Sequence, residues 1–302
     1  MFDAKELIGE AIKRHGDRIA VSCSFGKDSI AILHMALRFD AKIKVVFANT
    51  GVEFPETIRY KNLLKRQWNL NLYETTPYKS FWQCAIDYKL PKIRKKGGKG
   101  SNAPHCCYYL KHGPTTELQK ALGLNAIIMG LQAEESNSRL LLSMRYNNGK
   151  APYMSKDFNG ETIEFCSQRW YTRNTDMFTY NPIMQWTNKE VWRYLLSDNI
   201  PINEVYTKWG GIYKRCGCLP CTAYLDWKKK LTISHPKLAT KLMNMQGQRT
   251  LTQERDFPIN RIIDSNYIVL LSTHSKYSPQ TPTKMTTKTI FPYGCGEGLI
   301  KD

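Results

Sequence analysis

Long apolar segments are missing from this sequence of 302 residues. No window approaches the roughly 18–20 uninterrupted apolar residues that a membrane-spanning helix needs. Residues 1–17 have the pattern of an amphipathic helix and lack the apolar core of a secretory signal peptide. We therefore expect a cytoplasmic protein with no membrane partner.

Acidic residues are scarce relative to basic ones. The chain has 26 Asp and Glu against 44 Lys and Arg, which gives a formal charge of +18. Such an excess indicates a polyanionic partner, for which nucleic acid (DNA or tRNA) is the natural candidate. A small anionic substrate together with a need for solubility is the alternative explanation.

Two basic segments lie between the predicted helices and strands. Residues 92–100 form a glycine-rich loop that contains Lys95, Lys96 and Lys99, and residues 147–172 are predicted to be an inserted hairpin. At the end of that hairpin, two arginines flank two aromatic residues in the run Arg169-Trp-Tyr-Thr-Arg173. Basic groups interleaved with aromatic rings suit the backbone and bases of a nucleic acid, although solvated surface charge is the alternative.

A disulfide framework is not expected, although the sequence has nine cysteines. Four of them lie in two tight groups, Cys106-Cys107 and Cys218-x-x-Cys221. Two such pairs can supply four thiolates to one centre, and the spacing leaves both zinc and an iron–sulfur cluster open. Cys216 competes for one ligand position. Small buried packing residues are predicted at the isolated cysteines: Cys23, Cys84 and Cys166.

Short apolar segments alternate with helical patterns along the first half of the chain. Predicted strands cover residues 18–24, 43–48, 70–74 and 126–130, and predicted helices cover 29–39, 55–68 and 79–88. This order predicts an α/β fold, a Rossmann-like parallel sheet with helices on both faces, joined to a cysteine-rich helical region. We expect a nucleotide-binding domain at 1–225, with 147–172 inserted, and a C-terminal helical region and tail at 226–302.

A loop suited to phosphate follows the first predicted strand, in the run Ser24-Phe-Gly-Lys-Asp-Ser29. Gly26 permits a tight turn whose N–H groups can approach a phosphate, the following helix adds a favourable field, and Lys27 adds a donor. The loop is not the Gly-x-x-x-x-Gly-Lys-Ser/Thr loop of common NTPases, so β,γ-phosphate hydrolysis is not implied. An ordinary capped turn is the alternative.

Four segments together resemble the PAPS reductase and ATP pyrophosphatase superfamily. The loop is similar to its PP-loop, Ser-Gly-Gly-x-Asp-Ser, with Phe25 in place of one glycine. Three further segments follow in the expected order. Residues 49–57 come after the second strand. Residues 130–139 are similar to the family's motif Gly-x-Arg-x-x-Glu-Ser-x-x-Arg, and residues 181–192 are similar to its motif Pro-Ile-x-x-Trp-Thr-x-x-Asp-Val-Trp. The resemblance implies a PP-loop fold that binds an adenine nucleotide, either ATP or the sulfonucleotides APS and PAPS.

The resemblance also implies individual roles. The residues it places on the nucleotide are Ser24, Gly26, Lys27, Asp28, Ser29, Asn49, Thr50, Gly51, Glu53 and Gly130. Arg139 fits as a cation that stabilises charge on a phosphate or sulfate, and it joins Lys27 and Asp28 as a catalytic candidate. Mg²⁺ would neutralise a leaving pyrophosphate.

The cysteine pattern carries a resemblance of its own. Cys-Cys followed by Gly-Cys-x-x-Cys is similar to the [4Fe–4S] pattern of the assimilatory APS reductase type, which the ATP pyrophosphatase of DNA phosphorothioation shares. It implies four cluster ligands: Cys106, Cys107, Cys218 and Cys221.

Two departures from the family pattern bear on the chemistry. Sulfonucleotide reductases carry Glu-Cys-Gly-Leu/Ile-His near the C-terminus, and this sequence has no such run. Cys295, between two glycines in the basic tail, is either a mobile nucleophile or an inert residue. Where the reductases read Arg-Arg-x-x-x-Gln/Ser-x-x-Arg, this chain has Leu131-Gln132 and Glu134-Glu135-Ser136, and the Glu-Ser form resembles the nucleotide-activating branch.

These observations lead to one hypothesis and two alternatives. We expect an ATP-dependent, pyrophosphate-releasing enzyme of sulfur transfer to a nucleic acid, of the DNA phosphorothioation or tRNA thiolation type, supplied with sulfur by a cysteine desulfurase. The first alternative is an APS or PAPS reductase, in which Cys295 attacks the sulfate sulfur and a thioredoxin-like partner releases sulfite. The second is a non-catalytic nucleotide-binding or iron–sulfur module.

Overall fold

The computed structural model describes residues 3–92, 105–135, 139–140, 153–156, 162–172 and 176–251. The strands are β1 Ile19–Ser22, β2 Lys44–Phe47, β3 Asn71–Glu74, β4 Ala126–Met129, β5 Tyr153–Lys156, β6 Thr162–Phe165, β7 Arg169–Thr172 and β8 Met177–Tyr180. The α-helices are α1 Ala4–His15, α2 Lys27–Leu37, α3 Pro55–Gln67, α4 Phe81–Tyr88, α5 His105–Cys107, α6 Gly113–Ala121, α7 Asn188–Ser197, α8 Trp227–Ser234 and α9 Pro236–Leu251. A π-helical turn, Tyr108–His112, joins α5 to α6.

Six strands form the main sheet in the order β3-β2-β1-β4-β8-β7. The first five are parallel, and β7 pairs antiparallel with β8. The predicted α/β fold with a parallel sheet is therefore confirmed, with one antiparallel edge strand added. Only four residues separate β7 from β8, and a connection that short permits antiparallel pairing alone because a parallel crossover needs a dozen residues or more.

Helices cover both faces of the sheet because the buried strands present apolar residues on alternate sides. Ile19 and Val21 of β1 pack in one hydrophobic cluster with residues of α1, α2 and α7. Ala20, between them, packs in a second cluster that includes Leu118 of α6. This alternation fixes the sheet between two helical layers.

The ends of β1, β2 and β4 define the place where a ligand can bind. The chain runs outward from β1 through β2 to β3, and then returns to the other side of β1 as β4. Ligands of open α/β sheets bind in the crevice beyond the carboxyl ends of the strands at such a reversal. The segments that begin at Ser24, Asn49 and Gly130 follow these three strands.

A separate helical unit forms beside that crevice. Phe81 of α4, Leu110 of the π-helical turn, Trp227 of α8 and Leu242 of α9 share one hydrophobic cluster, against which Cys106 also packs. This unit is the predicted cysteine-rich helical region.

The segment predicted as an inserted hairpin divides into two parts. β5 and β6 pair antiparallel as a two-stranded sheet, whereas β7 belongs to the main sheet. The prediction that Arg169 faces a nucleic acid is wrong, because its side chain is 5% exposed and pairs with Glu10. Arg173 lies outside the described residues.

The remaining predictions on burial concern cysteines and membrane helices. Cys23, Cys84 and Cys166 are buried, as predicted for packing residues. Among the described residues, no helix combines the length and the apolar content that crossing a membrane would require.

The phosphate loop and the cysteine group

The loop between β1 and α2 turns sharply at Phe25. Its backbone is left-handed, with φ 55°, and its ring is fully buried with an edge-on contact to Phe47 at 5.4 Å between ring centroids. A side chain in this conformation costs about 1–2 kcal/mol relative to glycine, and burial of an aromatic ring offsets that cost. This geometry explains why the family pattern has glycine here and why phenylalanine is tolerated.

Lys27 provides a buried cation at the first turn of α2. Its Nζ donates to Asp28 Oδ1 at 2.6 Å and to Gln132 Oε1 at 3.1 Å. Gln132 is fully buried and its amide nitrogen donates to Trp186 O at 3.0 Å. Burial raises the pKa of Asp28; the charge of Lys27 opposes that shift and the charge of Glu135 adds to it. Two acceptors thus hold the ammonium group beside the loop, where a phosphate oxygen could join them.

The two serines and Gly130 complete the loop. The hydroxyls of Ser24 and Ser29 lie 3.2 Å apart, and Ser29 Oγ donates to Gly26 O at 3.0 Å. Gly130, after β4, lies so close to α2 that a Cβ there would come within 2.7 Å of the carbonyl carbon and oxygen of Asp28. The absence of a side chain at Gly130 lets β4 pack against the phosphate loop.

The segment after β2 forms a hydrogen-bonded turn beside the loop. Glu53 Oε1 accepts from the amide and the hydroxyl of Thr50 at 2.8 and 2.6 Å. Gly51 has a φ of 73°, and its amide donates to Asn49 Oδ1 at 3.0 Å. The second carboxylate oxygen of Glu53 is buried without a hydrogen-bond partner in the described part of the chain. The turn therefore holds a buried acceptor that a ligand's hydroxyl could satisfy.

The four predicted cluster ligands converge next to this turn. Cys218 Sγ donates to Thr50 Oγ1 at 3.5 Å, and Cys218 forms an isolated β-bridge with Glu53. The pKa of Cys106 is raised by a hydrogen bond with Cys107, by burial and by the charges of Cys107, Cys218 and Cys221. Mutual influence of this kind requires the four sulfurs to be neighbours, and a bound cationic centre would remove the repulsion between their thiolates.

The donor set fits an iron–sulfur cluster. Cys106 and Leu219 pack against the apolar cluster of the helical unit, so the thiols are shielded from water on that side. Across the described ranges, no set of three or more His, Cys, Asp or Glu side chains is arranged to hold a metal ion. The fit therefore rests on the type of donor, because four thiolates are the usual ligands of an iron–sulfur cluster.

Cys216 lies away from this group, beneath the phosphate loop. Its sulfur accepts from Asn203 Nδ2 at 3.4 Å, and burial raises its pKa to about 11. The sequence left Cys216 as a competitor for one ligand position. Cys216 and Cys218 contact different parts of the site: Cys216 contacts Asn203, and Cys218 contacts Thr50.

Arg139 and a second arginine meet at Glu135. Arg139 pairs with the Glu135 carboxylate, and Arg215 Nε lies 3.6 Å from Glu135 Oε1. Because the charge of Glu135 also acts on Asp28, this cationic pair stands close to the mouth of the loop. Arg215 was not predicted, since no local pattern distinguishes it from other surface arginines.

Cys295 and residues 93–100 lie outside the described residues.

The sequence of residues 18–224 matches the phosphoadenosine phosphosulfate reductase domain. This chain belongs to that family. Two relatives within the PAPS reductase family are named adenosine 5'-phosphosulfate reductase. The protein of Staphylococcus haemolyticus is 26% identical over 221 residues, which cover 73% of this chain and 76% of the relative. That of Bacillus mycoides is 28% identical over 221 residues, covering 72% and 79%.

Solved structures show a looser similarity to this PAPS reductase family member. The phosphoadenylyl-sulfate reductase of Candida auris, in complex with phosphate, has 17% identity and a TM-score of 0.46, covering 68% of this chain and 83% of the other. The U34-tRNA thiolase of Methanococcus maripaludis, with its [4Fe–4S] cluster, has 12% identity and a TM-score of 0.44, covering 83% and 78%. Binding of an adenine nucleotide or a sulfonucleotide is consistent with membership of the family.

Proposed function

We propose that this chain uses ATP to activate an oxygen of a nucleic acid for exchange with sulfur, and that its four cysteines hold a [4Fe–4S] cluster. The observation that carries the choice of ATP is Glu135. It belongs to the Glu-Ser form that resembles the nucleotide-activating branch, and its charge acts on Asp28. At position 132, where arginine is usual, Gln132 is a buried neutral amide whose two polar ends are both engaged.

A carboxylate at the mouth of a phosphate loop favours a nucleotide that brings a divalent cation. Mg²⁺ binds proteins through one or two carboxylates and takes its other oxygens from substrate phosphates and water. Asp28 is suited to that role because it lies in the first turn of α2, and one cation, Lys27, pairs with it. Glu135 is less suited, because two cations, Arg139 and Arg215, already lie against it. APS has a sulfate in place of the β- and γ-phosphates. It therefore offers fewer phosphate oxygens to a Mg²⁺ ion that Asp28 would bind.

The residues of the loop can support adenylation. Amides at the N-terminus of α2 and the Lys27 ammonium would hold the phosphates, and Arg139 would stabilise charge that develops on them. A substrate oxygen attacks the α-phosphorus; the new P–O bond forms as the α–β anhydride bond breaks, and pyrophosphate leaves. Sulfide then displaces AMP from the activated position. Where the terminal sulfur of a persulfide attacks instead, a disulfide joins its carrier to the product, and a second thiol must reduce that disulfide to release the thiolated product.

The position of the cysteine group suits the second half of that reaction. Thr50 contacts Cys218. It also belongs to the turn beside the phosphate loop, so it links the cysteine group to that loop. With each of its four irons ligated by a cysteine, a [4Fe–4S] cluster would order these residues beside the activated oxygen and would not itself bind the sulfide or persulfide. We propose a cysteine desulfurase as the source of that sulfur.

A surface beside the cysteines supports the choice of a nucleic acid. Tyr78 and Tyr108 are 43% and 49% exposed, and Lys79 Nζ lies 4.8 Å from the ring centroid of Tyr109. Tyr108 directly follows Cys107 in the chain. Exposed rings next to a cation are the usual partners of unpaired bases, and the net charge of +18 favours a polyanion.

The binding experiment measures affinity for single-stranded DNA and for tRNA across a series of salt concentrations. Tyr108→Ala should weaken binding about tenfold through lost stacking, whereas Phe39→Ala, an exposed ring at the opposite end of α2, should not. Reversing the charge of Lys95, Lys96 and Lys99 should weaken binding and flatten its salt dependence. Unchanged affinity in both sets of variants would remove nucleic acid as the substrate.

The experiment that tests the activity compares ATP, APS and PAPS in parallel. The purified protein is assayed without oxygen, with pyrophosphate and sulfite measured in each reaction. We expect pyrophosphate from ATP, at a rate that rises with added DNA or tRNA. Sulfite from APS or PAPS in the presence of thioredoxin, with no pyrophosphate from ATP, would contradict the proposal.

A sulfonucleotide reductase is the second candidate, because the relatives described above are named adenosine 5'-phosphosulfate reductase. In that reaction Cys295 would attack the sulfate sulfur of the sulfonucleotide, release the nucleotide as AMP or its 3'-phosphate, and form a thiosulfonate. A thioredoxin-like thiol would then release sulfite. Cys295→Ser separates the candidates, since it should abolish sulfite production by a reductase and leave pyrophosphate release from ATP unchanged.

A further inference from the structure

The hydroxyl of Tyr206 contacts the backbone of the phosphate loop. Tyr206 ends the short 3₁₀ turn Glu204–Tyr206, and its oxygen accepts from the backbone amide of Lys27 at 3.0 Å. The first amides of an α-helix have no acceptor within the helix. Tyr206 therefore supplies the missing acceptor at the first residue of α2 and fixes the point at which the loop becomes helix.

A buried hydrogen-bond network holds that hydroxyl in place. The Tyr206 hydroxyl hydrogen-bonds with the Cys216 side chain. Asn203 Nδ2 lies 3.4 Å from the same sulfur, 3.1 Å from Phe25 O and 3.1 Å from Thr57 Oγ1. The network thus contacts the loop twice, at the amide of Lys27 and at the carbonyl of Phe25.

Packing leaves this network little freedom. The Tyr206 ring meets Trp192 edge-on, with 5.4 Å between ring centroids and an angle of 90°. Asn203 is 2% exposed, and its Oδ1 accepts from the amide of Val205 at 3.1 Å. A Cβ on Gly26 would lie 3.0 Å from the Tyr206 hydroxyl oxygen. The loop and the network are therefore fitted to each other.

We propose that Tyr206, Cys216 and Asn203 form a positioning group, which sets the conformation of the phosphate loop and so its affinity for nucleotide phosphates. The group touches the loop's backbone at the amide of Lys27 and the carbonyl of Phe25 and contributes no atom to the reaction. This inference rests on the proposed function only in that the loop binds a nucleotide phosphate, whether of ATP or of APS.

The test compares ligands with and without phosphate on the full-length, cluster-containing protein. Tyr206→Phe keeps the ring against Trp192 and removes the hydroxyl. We expect its dissociation constants for ATP and APS, measured by calorimetry, to rise about tenfold, which is the effect of one buried donor left without a partner. Its affinity for adenosine, measured by ligand-observed NMR, should not change. Tyr194→Phe, which removes a hydroxyl 2.9 Å from His34 Nδ1, is the matched control.

A second pair of variants separates positioning from simple loss of stability. Cys216→Ala removes the hydrogen-bond partner of the Tyr206 hydroxyl and should weaken ATP and APS binding, whereas Cys216→Ser restores a partner and should recover most of the affinity. Two results for Tyr206→Phe would overturn the proposal: an equal loss of affinity for adenosine and for ATP, or unchanged affinity for both ATP and APS. Sulfite in place of pyrophosphate from the wild-type protein would refute the proposed function and leave this inference standing.

Discussion

Replacing Gly130 with alanine should damage the phosphate loop. The new Cβ would lie 2.7 Å from the carbonyl carbon and oxygen of Asp28 and 2.9 Å from the amide nitrogen of Ser29. All three are backbone atoms in the first turn of α2, so no side-chain rotation can relieve the contact. Either β4 or the start of α2 must move.

The size of the effect follows from those distances. Ordinary contacts of a Cβ begin near 3.4 Å, so the contact of 2.7 Å must lengthen by about 0.7 Å. Overpacking of this kind costs about 1–3 kcal/mol of folding free energy. Because a shift of about 1 Å at an active site can cost a hundredfold in rate, we expect the affinity for ATP to fall at least tenfold and pyrophosphate release to fall further.

Gly123→Ala provides the matched control. Gly123 has a φ of 62°, and a Cβ there would meet no atom within 4 Å, so alanine costs about 1 kcal/mol through backbone strain without touching the loop. Denaturant unfolding and ATP titration of both variants separate stability from binding. Wild-type ATP affinity in Gly130→Ala would refute the assigned contact between β4 and the loop.

Two further predictions concern the cysteine group and the π-helical turn. Cys218→Ser should lose most of the iron and the visible absorption of the anaerobically purified protein, whereas Cys216→Ser should keep both; the reverse result would exchange the ligand assignments. Burial lowers the pKa of His112 to about 4 from 6.5, so its neutral form is favoured by folding. That contribution is complete above pH 6.5 and is lost as the pH falls toward 4, which lowers the free energy of unfolding by about 3 kcal/mol. Urea unfolding of His112→Gln should show a smaller decrease over that interval.

The parallel core of the sheet could be predicted because its signals are local. β1 is an uninterrupted apolar segment followed by a loop with glycine and serine, and the structure places its strand at Ile19–Ser22 within the predicted 18–24. β7 was missed, because Arg169 in that strand reads as a surface residue. Its ion pair with Glu10 is 159 positions distant in the sequence, and no local pattern reports such a contact.

The same distinction applies to the candidate site. The residues of the phosphate loop lie within six consecutive positions, so their types and order could be interpreted directly. Tyr206 approaches the loop from 179 positions away, in a segment whose sequence resembles an ordinary turn. Phe25 shows the converse: its departure from the family's glycine is visible in the sequence, but only the fold shows what its ring packs against.

The segment from Tyr206 to Cys221 connects the two parts of the site, and this connection predicts a coupling between them. Tyr206 and Cys216 contact the phosphate loop, while Cys218, two residues further, contacts Thr50 and belongs to the cysteine group. Ordering the cysteines around a cluster should therefore restrict the loop as well. We expect protein from which iron has been removed by an anaerobic chelator to bind ATP more weakly than the cluster-containing protein. Linkage then requires ATP to strengthen retention of the cluster by the same factor, measurable as slower loss of visible absorption on chelation. Equal ATP affinity with and without iron would show that the segment does not transmit strain between the two parts.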